Sequence, residues 1–455
     1  MVVSVIPLHF IWARVFSMFF HLYTLGCKVN QYETEVVRTA LLRHGYTETL
    51  EGDLADHIIV NTCTVTAESE AKSRKEIRKF VRKNPGANVV VMGCAATHHP
   101  DAMLEIDGVS QIITDKQQIP DFLRQLGITE PPTGIASFGE RHRAFVKVQD
   151  GCRGGCSYCI IPKVRPTLYS RPIEEILPEI RVLAQNGYRE IVLTGIHLGH
   201  YGVDVAAGHP LLTKLIRRIV DLPEEFRLRL SSLEVSEVHG DLINLMVRYP
   251  DRLCPHLHLP MQSGSTEILR LMKRRMMRKP FIRRCEEILS KFDRLALTTD
   301  VIVGFPGETP KHFDETWQVI NRLRFSKVHI FRFSPREGTE AATLPRHVPP
   351  SEMKRRATLL KSLTGNLRTE FAASLVGSRE TVLMETPTRG TSGRYLDVRL
   401  EHPAEVGSLI SVQIERTEGE VCLGMLETNM SIAPMLLAWY NSPELEIQSG
   451  CAPSE

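Results

Sequence analysis

The sequence predicts an α/β protein with a small all-β domain at its C-terminal end. From residue 20 to residue 370, short apolar runs alternate with amphipathic helical patterns, as parallel strands covered by helices require. The alternation breaks at Pro131-Pro-Thr-Gly134, which reads as a linker and separates a unit over 20–130 from one over 138–370. After Gly377 the pattern changes to short strand-like runs with Gly, Ser and Thr turns between them. Several short strands at this spacing predict a small β-barrel of the oligonucleotide-binding type over 371–434.

In the first unit, a strand ending near Tyr23 and the runs Ile58–Val60, Val89–Met92 and Val109–Ile113 read as strands. Gln31–His44, Ala67–Lys83 and Ile119–Leu126 read as helices, with Gly45 and Gly86 where C-terminal caps belong. In the second unit, strands are predicted at Phe145–Gln149, Glu190–Thr194, Arg227–Ser231, His256–Leu259, Leu295–Val303 and Lys327–Phe333. Helical patterns between them include Ile173–Asn186, Leu211–Val220, Phe281–Phe292 and Lys311–Leu323. Six β/α units are too few for the closed eight-stranded barrel. A long helix, Ser351–Leu375, leads into strand-like runs at Glu380–Met384, Arg394–Arg399, Leu409–Ile414 and Glu420–Leu426.

A chain of 455 residues exceeds one typical domain. The net charge of +3 means that nucleic-acid binding must come from local patches, not from overall charge. Two such patches stand out: Lys72, Arg74, Lys75, Arg78, Lys79, Arg82 and Lys83, and then Lys273, Arg274, Arg275, Arg278, Lys279, Arg283 and Arg284. The apolar, basic first twenty residues are interrupted by Pro7, His9 and Arg14. They are too short for a membrane span and lack a cleavage site, so they read as an extension ahead of the first strand, or as a start placed too far upstream.

The chemistry lies in the cysteines. Asp150-Gly-Cys-Arg-Gly-Gly-Cys-Ser-Tyr-Cys159 places Cys152, Cys156 and Cys159 at C-x3-C-x2-C spacing. Three thiolates on a four-iron cluster leave one iron open for another ligand. Structural zinc requires a fourth ligand; His142 is available only at an unusual spacing. Disulfides are disfavoured in a chain without an export signal. Tyr158 offers a flat ring to an adenine. A second set follows the carboxyl ends of successive strands in the first unit: Cys27, Cys63 and Cys94. That edge is where open α/β sheets build their sites. Any one of these cysteines alone would read as a core residue; the repeated strand–Cys placement favours ligands. Cys254 and Cys285 have no such partners and read as buried, and Cys451 reads as a terminal thiol.

The first motif resembles that of the radical S-adenosylmethionine (SAM) enzymes. The words Tyr23-Thr-Leu-Gly-Cys27-Lys-Val-Asn-Gln-Tyr-Glu-Thr-Glu35, Asn61-Thr-Cys63-Thr-Val-Thr66 and Met92-Gly-Cys94-Ala resemble the methylthiotransferases among them. The first word is closest to the branch acting on tRNA threonylcarbamoyladenosine. The fold this implies is α/β: an N-terminal Rossmann/flavodoxin-like parallel sheet, a central partial (β/α)6 radical SAM barrel and a C-terminal small all-β TRAM barrel that binds tRNA.

The resemblance further implies two 4Fe-4S clusters, an auxiliary one on Cys27, Cys63 and Cys94 and a SAM-binding one on Cys152, Cys156 and Cys159. SAM would be cleaved to a 5′-deoxyadenosyl radical, and a methylthio group inserted at C2 of the adenine. Tyr158, Gly195, Glu234, Gln262 and Gly304, in the loops after the barrel strands, are the implied SAM contacts. The implied partners are a tRNA substrate, an electron donor such as flavodoxin or ferredoxin, and a sulfur donor. The implied setting is cytoplasmic, with no membrane. One loop departs from the family pattern: Ile161-Pro-Lys163-Val-Arg165-Pro166-Thr-Leu-Tyr169-Ser-Arg171 keeps two arginines but has Pro166 and Tyr169 where relatives carry Gly and Arg. The same chemistry on isopentenyladenosine or on a ribosomal-protein aspartate, and a non-catalytic iron–sulfur carrier or RNA-binding protein, are the competing readings.

Overall fold

The computed structural model describes residues 18–426 except 51, 52 and 140. The N-terminal extension, the end of the expected TRAM unit and Cys451 lie outside the described residues. The first unit is a five-stranded sheet: β1 (Phe19–Thr24), β2 (Thr47–Glu48), β3 (His57–Thr62), β4 (Asn88–Gly93) and β5 (Val109–Ile113). The strands lie in the order β2-β1-β3-β4-β5, and every pair is parallel. This is the flavodoxin-like order, whose switch point falls between β1 and β3. Helix α1 (Lys28–Arg43) packs Val37 and Leu41 on one face of the sheet, and α2 (Ala67–Lys83) packs Ile77 and Phe80 on the other. Covered on both faces, β3 is buried along its whole length, which explains its near-continuous apolar run.

The second unit is the expected partial barrel. Its parallel strands are β6 (Arg143–Asp150), β8 (Glu190–Gly195), β9 (Arg227–Leu230), β10 (His256–His258), β11 (Ala296–Val303) and β12 (Lys327–Arg332). Two sheets, β7-β6-β8-β9 and β10-β11-β12, are linked by a parallel bridge between Leu228 and Leu253. The short strand β7 (Tyr169–Ser170) pairs antiparallel at the outer edge of β6.

The third unit is a closed five-stranded barrel: β13 (Arg379–Thr386), β14 (Arg389–Ser392), β15 (Asp397–Leu400), β16 (Leu409–Glu418) and β17 (Val421–Leu426). Here the structure corrects the expected strand Arg394–Arg399. A turn with Tyr395 at φ +60° separates β14 from β15. Arg389-Gly-Thr-Ser reads as a turn from composition, yet Gly390 lies in a strand because a Cβ there would strike the Leu383 carbonyl. A second boundary also moves: α1 begins at Lys28, not Gln31, with Cys27 as its N-cap. Among the described residues no helix is long and apolar enough to cross a membrane.

Glu190 joins the second and third units. It is fully buried and accepts from Arg227 Nε at 2.7 Å and Arg229 Nε at 2.8 Å. The two guanidinium groups in turn donate to the carbonyls of Thr381, Thr391 and Gly393 in the small barrel. Burial alone would lift the Glu190 carboxyl, but Arg229 and Arg227 hold it well below the usual carboxylate range. Removing one partner of a buried ion pair typically costs about 3–5 kcal/mol. Glu190→Gln is therefore expected to lower the urea midpoint and to expose the chain near Gly377 to protease. Because the folded-state pKa is depressed, this contribution is complete above about pH 4.3 and is lost as pH falls below it. The wild type should lose stability on acidification more steeply than the variant; equal slopes would refute the assignment.

Candidate metal centres

Cys27, Cys63 and Cys94 all stand at the carboxyl edge of the first sheet. Cys27 caps α1, Cys63 follows β3, and Cys94 opens α3 (Cys94–His98). Gly26, at φ +107°, permits the close approach: a Cβ there would lie 3.2 Å from Cys63 Sγ. Gly93, at φ +98°, leaves no room for a side chain against the Thr62 backbone. The three thiols lie within electrostatic reach of one another, and none is in a disulfide. Burial pushes the Cys63 thiol up, and its two neighbours add to the effect. Thiolates at this edge therefore need a cationic partner. The donor set, three sulfurs from three loops, fits an iron–sulfur cluster with one open iron.

The second triad follows β6. Gly151, at φ +77°, lies so close to the Thr167 carbonyl that a Cβ would collide with it. Cys152 Sγ lies 3.6 Å from His197 Nδ1, and His197 Nε2 lies 2.6 Å from Glu237 Oε1. Burial disfavours the imidazolium, but its bonds to Cys152 and Glu237 push His197 up to about 10. Burial pushes the Cys159 thiol up to about 12. The three cysteines line a cleft of about 260 Å³ together with Tyr158, Glu234 and Gln262.

Glu234 accepts from Arg274 Nη2 at 2.7 Å, and the same nitrogen donates to the Pro260 carbonyl at 2.8 Å. Gln262 has φ +68°, which is costly for a residue with a Cβ. Its backbone bonds to Asp300 and Ile302 fix it there. Gly195 packs over Gln149, and Gly304 packs against Met353 on the helix Pro350–Ala373; neither lines this cleft.

A smaller cleft of about 190 Å³ lies beside Cys159 and reaches the loop that follows Cys63. Its walls include Val65 and Thr66, just past Cys63, and Tyr158, Cys159 and Gln262 from the second site.

Arg165 fixes the two triads relative to each other. It donates to Glu33 Oε1 at 2.7 Å, Glu33 Oε2 at 2.8 Å, both oxygens of Asp150 at 2.8 Å, Asn30 Oδ1 at 3.0 Å and Cys94 Sγ at 3.4 Å. Lys147 adds a second cation, bonded to Glu33 at 2.9 Å and Asp150 at 2.8 Å. Sequence reasoning kept Arg165 only as a surviving arginine. The signal it missed was Glu33, an acidic residue on the apolar face of α1, with no local partner.

The two basic patches fare differently. On α2, Lys72, Lys75, Arg78, Arg82 and Lys83 are exposed, while Arg74 pairs with Glu70. In the second group Arg274 turns inward to Glu234, and Arg275, Lys279 and Arg283 are exposed.

Comparison with known proteins agrees with this geometry. Residues 19–115 match a family described as uncharacterized protein family UPF0004, and residues 146–320 match the radical SAM superfamily. The threonylcarbamoyladenosine tRNA methylthiotransferase MtaB of Thermotoga maritima is 36% identical over 415 residues, covering 87% of this chain and 94% of that protein. The protein of the same name from Chlamydia pneumoniae is 36% identical over 414 residues, covering 89% and 97%. Among solved structures, the radical SAM methyltransferase TsrM of Kitasatospora setae aligns with a TM-score of 0.52 at 15% identity, over 72% of this chain and 77% of that one; this is a likeness of fold. With two sheet edges that each present three cysteines, and with relatives of this identity along nearly its whole length, the chain belongs to the threonylcarbamoyladenosine tRNA methylthiotransferase family of the radical SAM superfamily.

Proposed function

We infer that the protein inserts a methylthio group at C2 of N6-threonylcarbamoyladenosine next to the tRNA anticodon, using SAM and two 4Fe-4S clusters. The observation that carries this reading is a pair of three-cysteine sites whose loops, at Cys159 and just past Cys63, wall one cleft, in a chain 32 to 36% identical to relatives named for that activity. Cys152, Cys156 and Cys159 would hold the SAM-binding cluster, and Cys27, Cys63 and Cys94 the auxiliary one. Bound there, the clusters and SAM supply the one-electron chemistry that an unactivated aromatic C–H demands.

The chain's own residues bind and orient. The Tyr158 ring offers adenine a face. Glu234, held by Arg274, and Gln262, held by its backbone bonds, present polar atoms toward SAM. Gly195 and Gly304 shape the turns that carry the neighbouring contacts. The target base must leave its stack to enter the cleft. The exposed cations of α2, those around Arg275, and the small barrel make a track for the tRNA backbone. A flavodoxin- or ferredoxin-type electron donor, a sulfur donor and a cytoplasmic setting complete the reading.

Mass spectrometry of tRNA nucleosides tests it. Deleting the gene should remove 2-methylthio-N6-threonylcarbamoyladenosine, and the wild type, but not Cys156→Ala, should restore it. Cys63→Ala should keep SAM cleavage, lose methylthiolation and contain about half the iron. An unchanged nucleoside profile on deletion would overturn the tRNA assignment.

The α2 cations give a separate expectation. Replacing Lys72, Lys75 and Arg78 together by Ala should weaken tRNA binding and lower the slope of log affinity against log salt by about 3. An unchanged slope would remove α2 from the RNA track.

A further inference from the structure

A third cavity, of about 350 Å³, adjoins both clefts. It shares Ser232 with the cleft at Cys152, and Asp300 and Phe331 with the cleft between the triads. Its walls come from inward positions of the barrel strands, spaced two apart as side chains on one face must be: His256 and His258 on β10, Thr298 and Asp300 on β11, Lys327 and His329 on β12. Lys28 of α1 and Tyr395 of the small barrel complete it, so all three units of the fold contribute.

The cavity is polar, and some of its polar groups lack partners. Ser231 Oγ and His256 Nδ1 are buried without a hydrogen bond. His256 is only 4% exposed, and its other nitrogen is engaged with Thr298 Oγ1 at 3.0 Å. A buried polar atom without a partner carries an unrecovered desolvation cost, and both residues that carry one stand in the cavity wall. Charge adds to this. Asp300 is taken up by His258, whose Nε2 lies 3.3 Å from Oδ2. Lys28 and Lys327 make no hydrogen bond or ion pair among the described residues; Lys28 Nζ stands only over the Phe145 ring, at 5.9 Å. Asp300 and Cys27 act on Lys28, and Glu420 on Lys327, only at a distance; two lysines with no bonded anion among the described residues favour an anionic occupant over a cation, although His258, Asp300 and His329 are close enough together to hold an ion.

We propose that this cavity receives the threonylcarbamoyl appendage of the substrate base, with its carboxylate directed to Lys28 and Lys327 and its hydroxyl and urea groups to Ser231, His256 and His329. The proposal rests on the function inferred above and specifies what selects the substrate. In adenine, C2 and C6 flank N1. A base that presents C2 toward the two triads therefore carries its N6 substituent on the same edge, into the adjoining space. An apolar appendage there would leave both lysines without a bonded anion. Specificity of this kind comes from the penalty on the wrong ligand.

The test uses the holoenzyme and two anticodon stem-loop RNAs, one carrying N6-threonylcarbamoyladenosine and one its threonyl carboxamide. Affinity is measured by fluorescence anisotropy, and methylthiolation by mass spectrometry. A charge-assisted hydrogen bond predicts that the wild type binds the acid about 10- to 100-fold more tightly than the amide. Lys28→Met and Lys327→Met should each reduce that ratio toward one. The ratio is taken within each variant, so any loss of iron affects both RNAs alike. If Lys28→Met fails to fold, Lys327→Met still decides. Equal affinity of the wild type for acid and amide, with the acid methylthiolated, overturns the pocket and leaves the substrate reading standing. Full discrimination in both lysine variants also overturns the pocket. Methylthiolation of neither RNA overturns the substrate reading, and the pocket falls with it.

Discussion

Arg165 is the group on which the arrangement of the two cysteine sites depends. Its guanidinium meets Glu33 and Asn30, close behind Cys27 on α1, then Asp150, two residues before Cys152, and Cys94 itself. One planar group thus touches the surroundings of three of the six cysteines. Only arginine offers so many donors in a rigid fork; lysine would satisfy one direction at a time. With Lys147 the cluster holds two cations and two anions, Arg165 and Glu33 buried and Lys147 and Asp150 half-buried. Burial would lift both carboxyls, but Arg165 and Lys147 hold Glu33 and Asp150 below the usual carboxylate range. Buried ion pairs seldom add net stability. What this one supplies is geometry, because each charge has partners in only one relative placement of sheet and barrel.

Cys63 is anchored by a different arginine. Thr64, its neighbour, donates to Glu70 on α2 at 2.8 Å, and Arg336, from the segment after β12, donates to both Thr64 and Glu70. Burial opposes the Glu70 carboxylate, but the bonds from Thr64, Arg336 and Arg74 hold it down at about 2. The loops of the first triad are therefore pinned to the barrel at two points, Cys27 and Cys94 through Arg165 and Cys63 through Arg336. The small barrel is pinned at a third, by Arg227 and Arg229 on Glu190. At all three joints the guanidinium belongs to the barrel. The barrel is the reference body, and the two flanking units are placed against it.

Much of this could be read in the sequence, and the failures share a cause. Period and punctuation located the strands, because a strand buried on both faces must be apolar and a helix must show its stripe. Strand–cysteine adjacency pointed to Cys27, Cys63 and Cys94, because the carboxyl edge is fixed by topology, and C-x3-C-x2-C spacing pointed to Cys152, Cys156 and Cys159. What pattern could not reveal was which polar residues face one another. Glu33, Glu190 and Arg229 sit in elements whose neighbours are apolar, and their partners lie more than thirty residues away. The loop that departs from the family shows the same limit from the other side. Its retained residues, Arg165 and Arg171, are buried and bonded to Glu33 and Glu179, whereas Pro166 and Tyr169 are exposed. The substitutions fall on the exposed side of the loop. The strand misread at Arg394–Arg399 failed for a local reason: Gly390 serves a close backbone approach inside a sheet, which composition cannot distinguish from a turn.

The chemistry of the three adjoining spaces divides along the same lines. The cleft between the triads is mostly apolar, walled by Val65, Ile302, Phe331 and Phe333 beside the Tyr158 ring. Val65 is 50% exposed and Phe331 45%, an uncovered apolar surface beside Cys159 and the loop that follows Cys63. A flat aromatic ring is the kind of group such walls accept, since it gains by covering them and has few polar atoms to strip of water. On either side the walls turn polar, with Glu234 and Arg274 toward the second triad and the histidines and lysines toward the barrel strands. A modified adenine has the same division, with an apolar ring face and a charged substituent. The ring would be placed by the cleft and the substituent by the polar cavity. A base so held, with its faces covered and its substituted edge fixed, would turn the carbon between N1 and N3 toward the cysteines.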